Sequence, residues 1–345
     1  MDLILTSKDG KEIRNQDFKK FDVDVADTKD FELTIPTEEY DEYLGVGARL
    51  FVPNTEYGGT IGGRAVVTSE NELTLKGYTW RGLIAYKIIS PPTGQAYKIV
   101  SGELNSIIRG LIADAGISDL FYVPEVSTGI TLTNYQFNRY IDLYRGIEKM
   151  LNEVQNIGQN PPYRMSFEYV QQQNGTSGYV KLEAKPCVDY SDTIELSQDS
   201  QLNFKIEQVR NGINHLICLG GGELTSRVVR HLYADLDGNI STTQTLFGVD
   251  EITDIYDYGS AEDVTTLIND GIKQLQELTN NNSFEMDAAS LNLDVAIGDT
   301  IGGRDYTTGM VCKDKITNKI YKVEDGNEAV EYRIGGQATD YPIIE

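Results

Sequence analysis

Leu293-Asp294-Val295-Ala296-Ile297-Gly298-Asp299-Thr300-Ile301-Gly302-Gly303-Arg304 opens the stretch that decides the fold. Thr308-Gly309-Met310-Val311, Ile320-Tyr321-Lys322-Val323-Glu324-Asp325-Gly326 and Ala329-Val330-Glu331-Tyr332-Arg333-Ile334-Gly335-Gly336 complete it. Short apolar alternations are broken by Gly-Gly, Thr-Gly and Asp-Gly, the pattern of β-hairpins in series. An early segment repeats the layout: Val46-Gly47-Ala48-Arg49-Leu50-Phe51-Val52, then Tyr57-Gly58-Gly59-Thr60-Ile61-Gly62-Gly63-Arg64-Ala65-Val66-Val67, then Leu73-Thr74-Leu75-Lys76-Gly77-Tyr78. In both blocks a strand opening on a glycine runs through a glycine-marked turn into a second strand, and an apolar strand ending in glycine closes the block. The pentapeptide Thr-Ile-Gly-Gly-Arg occurs at Thr60 and again at Thr300, at different offsets within the two blocks. The shared layout, not the pentapeptide, therefore carries the argument. Two β modules of similar plan at opposite ends of one chain predict a part that builds rings rather than a pocket enzyme.

The chain has 345 residues, enough for two or three domains and a sizeable core. Apolar residues make up 40%, and Tyr, at 21 residues, dominates the aromatics, which suits sheets whose polar tips reach water. A net charge of −23 argues against nucleic-acid binding as a main task, because phosphate contacts need a basic face. The charge has two readings: solubility at high local concentration, or an acidic lumen that repels DNA and lets it slide. Cys187, Cys218 and Cys312 lie far apart without a CxxC, so no thiolate cluster for structural zinc is visible, and sparse cysteine fits a reducing cytoplasm. Met1–Leu5 lacks the basic start and long apolar run of a signal peptide, and no apolar stretch approaches a membrane span.

The expected fold class is mainly β with an α+β middle region, two barrel-like β modules flanking an α+β domain. The boundaries read as 1–92 for an N-terminal β module, 93–201 for the middle, and 202–345 for a C-terminal β module with one inserted helix. Pro91-Pro92-Thr93-Gly94 makes the first break. Beyond it, Leu104, Ile107, Ile108, Leu111 and Ile112 recur at helical spacing, and Tyr140, Leu143, Tyr144, Ile147, Met150, Leu151 and Val154 mark a second helix. Met165–Val170 and Tyr179–Ala184 read as a hairpin around Asn174-Gly175. From Leu202 strands return, interrupted by a helix with apolar Val264, Leu267, Ile268, Ile272, Leu275 and Leu278, for which Ser260 is the expected cap, with Asp263 three positions on.

No constellation of residues calls for chemistry. Gly220-Gly221-Gly222 follows a strand, but Thr225 stands where a dinucleotide fingerprint needs its third glycine, and Ser226–Arg230 alternates like a strand. A glycine bend between paired strands is the better reading. Asp235-Leu236-Asp237-Gly238-Asn239 starts like a calcium loop, yet its glycine comes too early and Leu246 occupies the place of the closing glutamate, so it reads as a hairpin turn. His215 and His231 each read as structural residues of a strand. The acidic runs Glu38–Tyr43 and Asp250–Asp254 read as solvated faces, and Tyr40, Tyr43, Tyr256 and Tyr258 as an interface or sheet edge. No catalytic, cofactor-binding or metal-ligating residue is assigned, no cofactor is expected, and no enzymatic activity is expected.

The C-terminal block, with Ile297-Gly298-Asp299-Thr300-Ile301 and the closing Tyr332-Arg333-Ile334-Gly335, resembles the tail hub proteins of long-tailed phages and prophages. The resemblance extends to Arg210–Gly222 and to Leu75–Tyr78, Leu83-Ile84 and Ile89–Pro92, and so spans most of the chain. It implies a virion structural subunit of the tail tip, made in the bacterial cytoplasm from a phage or prophage gene. Such hubs assemble as homotrimers, which close the tail tube, meet the tail-tube or distal tail protein, and receive baseplate or fibre proteins. Each chain presenting two similar barrels would make a pseudo-six-fold ring from three copies, through which DNA passes without specific binding and with no insertion into a membrane. A carbohydrate- or receptor-binding module of a tail is the alternative. A cell-wall hydrolase is the third reading, disfavoured because the second β block runs to the end of the sequence at Glu345.

Overall fold

A computed structural model describes residues 2–27, 29–157, 160–171, 177–191, 195–197, 203–208, 212–235, 238–261, 263–279, 282–287, 295–304, 306–307, 311–324 and 326–334. The Asn174-Gly175 turn, Asp237, and the ends of the C-terminal stretch at Leu293-Asp294 and Gly335-Gly336 lie outside them, as do Arg210-Asn211 and Thr308–Met310. Two compact units emerge, one of Met1–Phe204 with Met286–Ile334, the other of Lys205–Glu285.

The first unit begins with seven strands: β1 (Ile4–Thr6), β2 (Glu12–Asn15), β3 (Lys20–Asp24), β4 (Phe31–Pro36), β5 (Arg49–Phe51), β6 (Gly58–Val67) and β7 (Glu72–Thr79). Their period of two is visible in β4, where Phe31, Leu33 and Ile35 are fully buried while Glu32 and Thr34 lie on the other face. Thr79 then caps a short helix, α1 (Trp80–Ala85), accepting a hydrogen bond from the Gly82 amide at 3.1 Å. Six residues are too few for a helical period to register in sequence. The middle region follows as β8 (Ile88–Ile89), β9 (Ile99–Glu103), α2 (Leu104–Asp114), β10 (Phe121–Tyr122), β11 (Thr131–Gln136), β12 (Ile141–Asp142), α3 (Leu143–Asn152), β13 (Tyr163–Val170) and β14 (Tyr179–Pro186). The α2 stripe is buried as its spacing predicts. Helix α3 starts three residues later than the pattern suggests, because Asp142 caps it by accepting from the Arg145 amide and Tyr140 sits at a φ of 56°.

The sequence boundary at residue 92 crosses a packed core. Phe51, Trp80 and Ile84 bury themselves with Ile108, Leu143, Ile147, Tyr169 and Leu182 in one cluster. Phe51 stacks on Tyr169 with ring centroids 3.8 Å apart. Arg81, buried under this cluster, donates to Glu56 at 2.5 Å and to the Tyr144 hydroxyl at 3.0 Å. Such a charge is tolerable inside only when it is paired this fully.

After β15 (Glu195–Ser197) and β16 (Asn203–Gln208), the second unit holds β17 (His215–Leu219), β18 (Val229–Ala234), β19 (Ile240–Ser241), β20 (Thr253–Asp257) and α4 (Val264–Thr279). Its sheet runs β19-β18-β17-β20, and α4 covers one face through Leu267 and Leu275 against Leu216, Cys218 and Leu232. The expected inserted helix is thus part of an inserted sheet-and-helix unit with its own core. Asp263, not Ser260, accepts the hydrogen bond of the Thr266 amide at 2.7 Å and caps α4. The chain returns through β21 (Asn282–Asp287) to β22 (Thr300–Arg304), β23 (Val311–Glu324) and β24 (Asn327–Ile334).

The protein is mainly β with an α+β middle, as the sequence predicts, but the two β blocks do not stand apart. Strands β24-β23-β3-β4-β7-β6-β5-β1-β2 form one continuous sheet, with β22 and β15 branching from β23. The order continues past β24 through β21 to β16, the strands within which the chain passes between the units. No closed barrel occurs among the described residues. No helix of the described residues is long and apolar enough to cross a membrane.

Candidate functional site

The feature that distinguishes this molecule is a repeat built into its largest sheet. In the first block Gly47, at a φ of 92°, turns the chain into β5; in the last, Gly298, at 94°, turns it into β22. A positive φ is where glycine is favoured. Each glycine donates to an isoleucine carbonyl across the ladder, Gly47 to Ile61 and Gly298 to Ile316, both at 2.8 Å. Each isoleucine amide donates back to the next residue, Ile61 to Ala48 at 2.9 Å and Ile316 to Asp299 at 2.8 Å. Directly after those isoleucines both ladders slip: the register shifts between Ile61 and Gly63 on β6, and between Ile316 and Asn318 on β23. Gly77 pairs with Ile61 and Ile334 with Ile316, so β5-β6-β7 and β22-β23-β24 correspond residue by residue. The correspondence extends outward. Strand order β1-β5-β6-β7-β4-β3 in one block matches β15-β22-β23-β24-β21-β16 in the other. One difference is that β1 runs antiparallel to β5 while β15 runs parallel to β22. The twin pentapeptide falls on non-equivalent strands, β6 and β22, so its recurrence has no part in the repeat.

The two blocks meet where β3 pairs antiparallel with the far half of β23, Val23 opposite Tyr321 and Phe21 opposite Val323. Phe21 meets Tyr321 edge to face at 6.1 Å, and Tyr57 stacks on Tyr321 at 4.2 Å. Burial pushes the Tyr57 and Tyr321 phenols well above their ordinary range. The Lys319 ammonium lies 5.6 Å from the rings of both Tyr57 and Tyr332. Asn318 donates to Asp24 at 2.7 Å. On the solvated face a row of side chains crosses the joint, Lys322 beside Asp22, Asp22 beside Glu32, Glu32 beside Lys76, so here both charge signs are interleaved.

Asp299 is a residue whose role the sequence reading missed. Only 2% exposed, it accepts from the amides of Val188 and Ala296, each at 2.9 Å, and faces the Arg164 guanidinium at 3.4 Å. It ties the second block to β13 and to the segment after β14. An Asp directly after a strand-opening glycine is the available signal.

Of the residues weighed for chemistry, the glycines Gly220–Gly222 form a bend: Gly220 donates to Val228 and Val228 to Gly221, and Gly222 has a φ of 100°. Asp235 accepts from the Asn239 amide at 2.8 Å in the turn between β18 and β19, with residues 236 and 237 outside the described ones. His215 and His231, taken singly in the sequence, are brought together on the sheet face opposite α4. His215 Nδ1 lies 2.6 Å from Glu251, and its Nε2 lies 2.8 Å from His231 Nδ1. Tyr40 receives a hydrogen bond from Arg64, Tyr43 is exposed, and Tyr256 and Tyr258 pack beside the core of the second unit. Cys218 is buried under α4 and Cys187 is half-buried, while the side chain of Cys312 lies outside the described residues. A cavity of about 370 Å³ beside α2, lined by Ile88, Ile89, Leu111 and Leu143, carries the ion pair of Lys98 and Asp114 at 2.7 Å.

No family model and no curated protein matches this chain. Solved structures do. A tail protein from Neisseria meningitidis MC58 is 16% identical, with a TM-score of 0.57 over 97% of this chain and 96% of that one. The 43 kDa tail protein of prophage MuSo2 from Shewanella oneidensis is 10% identical, with a TM-score of 0.61 over 96% and 97%. Prophage tail protein gp18 from Listeria monocytogenes EGD-e is 11% identical, with a TM-score of 0.53 over 99% and 96%. The likeness spans nearly the whole of each chain, and the fold of this protein is that of prophage tail proteins.

Proposed function

We propose that this protein is a structural subunit of a phage or prophage tail tip, three copies of which form a pseudo-six-fold hub ring. The observation that carries the reading is the repeated strand order, with β3 of one repeat already joined to β23 of the other. A contact between unlike surfaces propagates head to tail and closes into a ring when the rotation permits. With two repeats in each chain, the joint inside a chain serves as the template for the joint between chains. Three chains then supply six repeats, matching a six-fold tube and giving baseplate or fibre proteins a platform. In this reading the protein is no enzyme, DNA passes without specific contacts, and the work is geometric.

Sedimentation velocity over a thousand-fold range of concentration tests the reading, with electron microscopy of the largest species. A trimer with a ring-shaped projection is expected. Dimers with two-fold symmetry, or a monomer at every concentration, would sink it. Incubation with peptidoglycan should release no product above buffer, and turnover abolished by changing one Asp or Glu to Ala would count against a purely structural role.

A further inference from the structure

The free half of β6 has a counterpart whose partner is known. Residues Arg64–Val67 are exposed, with Val66 at 53% and Val67 at 41%. β7 pairs with one side of them, while β5 reaches only as far as Thr60 on the other. Among the described residues no strand lies on that second side. Exposed β-branched residues on an unpaired edge invite another strand. By the correspondence of Ile61 with Ile316, Ala65, Val66 and Val67 stand where Ile320, Tyr321 and Lys322 stand in the second repeat. There the equivalent edge is filled by β3.

Hydrogen-bond direction supports the match from two independent sides. The Val25 amide donates to the Lys319 carbonyl at 3.1 Å, so Lys319 and, by alternation, Tyr321 turn their backbone groups toward β3. Their counterparts are Arg64 and Val66. Within the first repeat, the Thr37 amide donates to the Asn71 carbonyl at 2.9 Å, which directs Asn71 and then Leu73 toward β4. Val66 pairs with Leu73, so its N–H and C=O point away from β7, to the open side.

We infer that the Arg64–Val67 edge of β6 is the docking site for strand β16 (Asn203–Gln208) of a second copy of this chain, added antiparallel as β3 is added to β23. β16 is the counterpart of β3 and stands at the end of the strand order, with β21 as its neighbour. Among the described residues no strand lies beyond β16, so each copy offers that edge and accepts at β6, the head-to-tail arrangement a ring requires. This inference rests on the ring reading above and names the surfaces through which it operates.

The substitution Val66→Pro tests it. Proline removes one outward amide and is tolerated on a strand edge whose N–H faces solvent, so the β6–β7 ladder survives. The variant should melt within a few degrees of the parent, while the concentration for half-assembly rises at least tenfold; Val66→Thr should assemble like the parent. Amide hydrogen exchange gives a readout that needs no variant: the Val66 amide should exchange rapidly in the monomer and become protected in the trimer. Trimers that form normally in Val66→Pro, or that leave the Val66 amide unprotected, overturn the docking site and leave the ring reading standing. A parent chain that forms no trimer overturns the ring reading itself.

Discussion

The two repeats share a backbone plan and differ in how it is anchored. In the second, Asp299 gathers two amides and a guanidinium in a buried position. In the first, the equivalent residue is Ala48, and anchoring passes to Arg49, whose guanidinium donates to the carbonyls of Gly178 at 3.3 Å and Lys8 at 2.9 Å. One repeat is held by a carboxylate that accepts, the other by a cation that donates, yet both open on a left-handed glycine and slip register after the same isoleucine. What has been kept is the path of the main chain. Side chains differ between the two, and each anchor, Asp299 or Arg49, still finds its own hydrogen-bond partners.

Removing an anchor should break the comparison most sharply. Asp299→Ala strips the Val188 and Ala296 amides and the half-buried Arg164 guanidinium of a carboxylate that is itself buried, with a cost of about 3 kcal/mol. Urea denaturation should register a loss of that size as a lower midpoint at unchanged slope; a loss under about 1 kcal/mol would mean that water replaces the carboxylate.

The closing residues of the repeats give the next test. A Cβ on Gly77 would lie 2.0 Å from the Thr60 carbonyl oxygen, a backbone atom that moves only if β6 moves. Its counterpart Ile334 is 3% exposed and fills space. Ile334→Ala should cost about 3 kcal/mol through lost packing, and Gly77→Ala about 2 kcal/mol through overpacking. Equivalent positions would then respond to alanine for opposite reasons. A neutral Gly77→Ala would show that β6 and β7 can separate without penalty.

The smallest effect lies beside the joint. Burial, and then the neighbouring carboxylates Asp22, Asp24, Asp27 and Glu32, push the Asp30 carboxyl up to about 6. Its value in the unfolded chain is near 3.8, so the folded protein holds the proton more tightly and loses stability as pH rises from about 4 through about 6. Asp30→Asn should therefore stabilise at pH 7.5 by about 1 kcal/mol, after allowing for solvent screening, and the gain should vanish near pH 3.5. Melting curves at the two pH values check it, and an equal gain at both would exclude ionisation as the cause.

Local pattern made much of this molecule legible. Leu104, Ile107, Ile108, Leu111 and Ile112 specify α2 because a helix stacks such residues on one face, and the glycine-punctuated alternations specify the hairpins on either side. The layout shared by Val46–Tyr78 and the C-terminal stretch was visible too, since a strand-opening glycine and a hairpin are short-range signals. Helix α1 and the Asp263 cap were not, because a six-residue helix leaves no period and two capping residues within four positions compete on equal local terms.

The candidate site divides in the same way. That two β blocks of one plan exist was determined by the sequence itself, through turn glycines and alternation that act within a few residues. That β3 lies beside β23, that His215 meets His231, and that Asp299 reaches Arg164 was decided only by the tertiary structure. Any edge strand offers the same amides and carbonyls to any other, so nothing local in Lys20–Asp24 specifies its partner. The choice rests on Phe21 and Tyr57 both packing on Tyr321, a contact between residues far apart in sequence that no local pattern encodes.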